Sequence, residues 1–157
     1  MPVSRRLLRR VYGDRAYIEG WALYGQQLMV ELGYKDYDRG MKSVMLEQMM
    51  RVTTNAILDI KLHAMNMPEA GALNFLLDRH RGRAKDAQSA LLRLKLSPAT
   101  LPAYYVGWRR WTECRNQMKR LEGSAFSLRS FHDRALRLGA IPISLMNELL
   151  HSTVPSR

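Results

Sequence analysis

The chain has 157 residues and a mass of 18.2 kDa, which is room for one domain with a core of its own. Apolar residues make up 46 % and charged residues 25 %, values that exclude wholesale disorder, and no apolar run approaches the ~18 residues of a membrane-spanning helix. The net charge of +11 is uneven: residues 1–78 hold 10 Lys/Arg and 9 Asp/Glu, whereas residues 79–157 hold 15 and 5.

Residues 1–11 form a basic segment, with Arg5, Arg6, Arg9 and Arg10 around Leu7, Leu8 and Val11. It fits the first turns of a folded helix, an internal segment exposed by truncation, a poorly ordered end or a short amphipathic transit peptide. Helical periodicity then dominates. A first helix is expected from about Asp14 to Leu32, where Gly33 stops it. Asp36 or Asp38 caps a long second helix, about Tyr37 to Ala64. Its expected buried stripe is Met41, Val44, Met45, Gln48, Met49, Val52, Ala56, Asp59 and His63.

Pro68 and Glu69 read as the first turn of a helix that continues through Leu73, Leu76 and Leu77. A basic helix follows from about Arg83 to Leu96, ended by Ser97-Pro98. Thr100 and Pro102 start another long helix, which Gly123 closes. Ser127 caps a short helix that Gly139 ends, and Pro142 opens the last one. No segment alternates like a strand. The fold class is therefore all-α, with about six or seven helices in a single domain over residues 1–157.

The chemistry-bearing residues are few. A zinc site made by His-Glu-x-x-His needs two imidazoles four residues apart on one helix face. No two of His63, His80, His132 and His151 have that spacing. Glu19 lies among Tyr17, Trp21 and Tyr24, where a carboxylate is costly unless it is paired or metal-bound; the plain alternative is a salt bridge to an Arg at the core's rim. Asp59 and His63 share a helix face, the arrangement by which a carboxylate orients an imidazole. His132-Asp133 are adjacent and do not face one another. Cys114, the only cysteine, excludes an internal disulfide and reads as a quiet helix residue. It also fits a reducing compartment, so the cytoplasm is the favoured location; a signal peptide ahead of this segment would make it secreted or periplasmic.

The basic run Arg79–Lys85 and the cluster Trp108-Arg109-Arg110-Trp111 are the best candidates for nucleic-acid or acidic-partner binding. The same Trp spacing also marks a buried helix face.

Four short motifs together resemble the bacterial family known as domain of unknown function 885. They are Glu19-Gly20-Trp21-Ala22-Leu23-Tyr24, Asn55-Ala56-Ile57-Leu58-Asp59 through His63, Tyr104-Tyr105-Val106-Gly107, and Phe131-His132-Asp133 with Gly139 and Pro142. The order and spacing agree from about Tyr12 to Leu150. Gln26 stands where many members have a second Glu, and Asn55 and Lys61 replace an Arg and a Gly common in parts of the family.

The family resembles the helical zinc metallopeptidases, and its members are usually several times longer. The resemblance implies the C-terminal part of a larger helical, zincin-like fold. It makes Glu19 a zinc ligand alongside a His-Glu-x-x-Pro-Gly-His motif that these 157 residues lack. It makes His63 and Tyr104 candidate transition-state stabilisers, Asp59 a candidate orienting residue, and a peptide the substrate. By itself the chain is then expected to be inert and to hold no tightly bound zinc. The alternative is a non-enzymatic basic helical module for nucleic acid or an acidic partner.

Overall fold

The computed structural model describes residues 12–37, 39–79 and 83–153; the basic segment 1–11 and residues 80–82 of the run Arg79–Lys85 lie outside these. The described residues are helical and contain no strand. The helices are α1 (Arg15–Glu31), a single turn α2 (Tyr34–Tyr37), α3 (Arg39–Ala64), α4 (Glu69–Arg79), α5 (Ala84–Leu96), α6 (Pro102–Glu122), α7 (Leu128–Leu138) and α8 (Ile143–His151). A 3₁₀ turn, Gly123–Ala125, follows α6.

Most ends have the causes expected. Asp14 Oδ1 accepts the Tyr17 N–H at 2.7 Å and so caps α1. Ser127 Oγ accepts the Ser130 N–H at 3.3 Å at the start of α7. Gly33, Gly123 and Gly139 all take positive φ just beyond a helix, at 82°, 56° and 88°. The Asp36 cap is a correction: Asp36 falls inside the separate turn α2, and Asp38 lies outside the described residues.

The chain divides into two compact units. The first combines Met1–Glu31 with Val106–Arg157. Its core holds Tyr17, Tyr24, Trp111, Met118, Phe131 and Met146, with Cys114 among them. Trp111 is its centre: the ring is wholly buried, Tyr17 meets it edge-on at 5.0 Å, and its Nε1–H donates to the Tyr17 carbonyl at 3.0 Å. A buried indole without such an acceptor would carry the desolvation cost of its N–H uncompensated.

The second unit is Leu32–Tyr105. Here α4 and α5 pack on one another and both pack on α3. The core is Leu58, Ala72, Leu76, Ala87, Leu94 and Leu101. The stripe read on α3 holds at Met45, Val52, Ala56 and Asp59, which are buried. It fails at Val44, which is 60 % exposed, and at His63, which is also exposed near the end of the helix, and it omits Leu58, which is wholly buried. Leu58 sits one residue off the stripe and is claimed by the α4–α5 pair, a tertiary choice that a single helical period does not show.

Candidate functional site

Two of the four motifs, together with Gly107 from a third, meet in the first unit. Gly20 on α1 and Gly107 on α6 let the two helix backbones touch. A methyl group added at Gly20 would lie 2.2 Å from the Gly107 carbonyl carbon, and one at Gly107 would lie 1.9 Å from the Ala16 carbonyl oxygen. Next to that crossing, His132 of α7 shares a 2.8 Å hydrogen bond through Nε2 with the Tyr24 hydroxyl. Trp21 packs edge-on to the His132 ring at 5.3 Å. Arg115 lies over the Tyr24 ring at 5.4 Å and pairs with Glu31 at 2.9 Å.

Burial pushes the Tyr24 phenol up to about 12, against the lowering pull of Arg115. Burial, and then the Arg115 charge, lower the His132 imidazole below its ordinary value, while Asp133 raises it. The Tyr24 phenol therefore stays protonated and His132 neutral at pH 7, so Tyr24 donates and Nε2 accepts. The sequence left His132 without a partner because Tyr24 is far from it along the chain.

Glu19, next to the crossing glycine in the α1 sequence, is half-buried. No hydrogen bond or ion pair to its carboxylate is found among the described residues, so the rim salt bridge is not seen there. Nor do the described residues bring together three His, Cys, Asp or Glu able to hold a metal ion. Glu19 thus offers one ligand, and this set does not by itself fit zinc.

The fourth motif belongs to the second unit. Asp59 is 2 % exposed, and its Oδ1 accepts the Ala99 N–H at 2.9 Å. Its other oxygen, Oδ2, is buried and finds no hydrogen-bond partner among the described residues. The contact fixes the turn after Ser97-Pro98, where Ala99 takes the left-handed φ of 59°. His63 is directed elsewhere: its Nε2–H donates to the Leu94 carbonyl at 3.1 Å, close to the end of α5. Among the described residues no hydrogen bond joins Asp59 to His63.

Tyr104, in the first turn of α6, lines an open cleft of about 180 Å³. Arg51, Gln48 and Asn55 from α3 and Arg93 from α5 line it too, over Val52 and Leu101.

The residues weighed for nucleic acid are placed differently from a stacking platform. Trp111 is in the core, and Trp108 is half-buried with its Nε1–H donated to Gln27 Oε1. Arg79 lies over the Phe75 ring at 5.3 Å, and Arg83 pairs with Asp86 at 3.2 Å. Among the described residues no helix is long and apolar enough to cross a membrane.

Comparison with known proteins bears on these placements. The chain is similar to a solved structure from Shewanella oneidensis described as "a putative lipoprotein of unknown function", with 31 % identity and a TM-score of 0.85. That match covers 92 % of this chain and 27 % of the other. A second solved structure, "the putative lipoprotein from Colwellia psychrerythraea", has 26 % identity and a TM-score of 0.87 over 94 % of this chain and 25 % of that one. The chain thus spans about a quarter of the length of these two proteins. No curated protein matches it. A family model described as "Bacterial protein of unknown function (DUF885)" matches residues 3–150, and the chain belongs to that family.

Proposed function

We propose that this chain is the C-terminal portion of a zinc-dependent peptidase, to which it contributes the Glu19 carboxylate and part of the substrate cleft. The carboxylate of Glu19 carries the reading: it is half withdrawn from water and unpaired by any described residue, and it stands in the motif that resembles a ligand-bearing segment. Family membership over residues 3–150 and the longer chains of the two solved relatives are consistent with it. The remaining ligands and the general base would come from outside these 157 residues, and the chain alone is inert and binds no zinc tightly.

In this reading Tyr104, and His63 once its Nε2–H is released from the Leu94 carbonyl, donate hydrogen bonds to a developing oxyanion. Asp59 is a positioning residue. Its bond to Ala99 holds the turn that leads into α6, and Tyr104 is in the first turn of that helix. The description of both relatives as lipoproteins favours an extracytoplasmic setting over the cytoplasmic one expected from the single cysteine.

The test begins with the coding DNA upstream of Met1. An open frame encoding His-Glu-x-x-Pro-Gly-His ahead of Glu19 is expected. The longer product should then hold one zinc per chain and cleave peptides, and its Glu19→Gln variant should lose zinc affinity by tenfold or more. A closed frame, or a longer product that neither holds zinc nor cleaves peptides, sinks the reading.

A further inference from the structure

The cleft in the second unit carries positive charge at its wall. Its lining includes two guanidinium groups, Arg51 and Arg93, and neither Asp nor Glu. Gln48 and Asn55 add carboxamides and Tyr104 a phenol, so the polar part of the wall is rich in N–H and O–H donors. Three of these side chains share one face of α3, because Gln48, Arg51 and Asn55 follow at three- and four-residue steps. The Arg51 guanidinium is already held there, since its Nη2–H donates to Gln48 Oε1. Val52 and Leu101 supply an apolar portion.

Donors without a competing carboxylate select an anion. Guanidinium pairs best with a planar carboxylate or with phosphate, through paired hydrogen bonds. The apolar wall distinguishes these two, because a carboxylate on a short hydrocarbon gains from Val52 and Leu101 whereas inorganic phosphate does not. The volume, about 180 Å³, lies below the range of pockets for drug-sized ligands, roughly 300–1,000 Å³. It suits a carboxylate with a short branched chain and not a nucleotide.

We propose that this cleft is a binding site for the carboxylate of a small apolar organic acid, with Arg51 and Arg93 as the charge partners. Should the chain serve a peptidase, the same chemistry would receive the free carboxylate end of a peptide. Binding needs neither zinc nor hydrolysis, so this site and the peptidase reading fail separately.

The test is a titration of the full 157-residue chain, followed by two-dimensional amide NMR, with isovalerate, isovaleramide and inorganic phosphate as probes. Isovalerate should give saturable shifts confined to the amides of residues 48–55, 93 and 101–104. Isovaleramide, the same shape without the charge, should bind at least tenfold more weakly, and phosphate should be weaker than isovalerate. Arg51→Gln and Arg93→Gln should each weaken isovalerate binding about tenfold. Both arginines are exposed, and the unchanged remainder of each variant's spectrum verifies its fold. Equal binding of the amide, tighter binding of phosphate, unaffected variants or the absence of a localised response would each overturn the proposal.

Discussion

Gly20 and Gly107 touch backbone to backbone where α1 crosses α6, and each excludes a Cβ from the other's helix. The neighbouring atoms are main chain, so no side-chain rotation makes room. Gly20→Ala and Gly107→Ala are each expected to cost about 3 kcal/mol. Thermal unfolding should show a fall of roughly 5–10 °C for each. Because both substitutions wedge the same crossing, the double variant should lose less than the sum of the two. Wild-type-like melting of either single variant would mean that the helices do not meet this closely.

His132 makes stability depend on pH. Its folded pKa is lowered, by burial first and by Arg115 second. The unfolded chain therefore takes up a proton near the ordinary value of about 6.5 while the folded chain resists it. Stability should be full above that value and should fall as pH drops below it, until the folded imidazole also protonates. His132→Gln should flatten this part of the profile in urea unfolding at pH 7.5, 6.5 and 5.5. An identical slope in the variant would remove His132 as its source.

Tyr24→Phe deletes the hydroxyl and leaves His132 Nε2 without that partner. A loss of about 1–2 kcal/mol is expected from denaturant unfolding at pH 7.5. A neutral effect would show that water satisfies the imidazole equally well.

The turn held by Asp59 gives opposite outcomes for two substitutions. Ala99 has a φ of 59°, a conformation that costs an L-residue roughly 1–2 kcal/mol. Ala99→Gly should therefore stabilise by about 1 kcal/mol. Asp59→Ala removes the acceptor of the Ala99 N–H and should destabilise by about 1–3 kcal/mol. Chemical denaturation of both variants distinguishes this from an unstrained turn, in which the glycine would be the less stable.

Cys114 is 2 % exposed, and burial pushes its thiol up to about 12. In native buffer at pH 8 it should react with an aromatic disulfide reagent at least a hundredfold more slowly than in denaturant. Rapid native reaction would show that the core around Trp111 opens readily.

Much of the helical order was legible because its punctuation is local. Gly33, Ser127, Gly139 and Pro142 each mark an end through their own backbone or side-chain chemistry, and the structure uses them there. What periodicity could not reach were pairings across the chain. The role of Gly20 depends on Gly107, which lies 87 residues further along the chain. His132 looked idle beside Asp133 because its partner, Tyr24, is 108 residues away. Asp59 was legible as a carboxylate on the buried stripe, but its contact with Ala99 depends on a turn 40 residues further on. The cleft is illegible in the sequence for the same reason: Arg51, Arg93 and Tyr104 come from three helices and form no sequence motif.

All three tryptophans, Trp21, Trp108 and Trp111, belong to the first unit, and the second contains none. Indole fluorescence is consequently an optical label for one unit, whereas far-UV circular dichroism sums the helices of both. Monitored together during unfolding, the two signals become a direct count of cooperative transitions. Coincident curves mean a single transition, and a dichroism change without a fluorescence change is the melting of α2 to α5 alone.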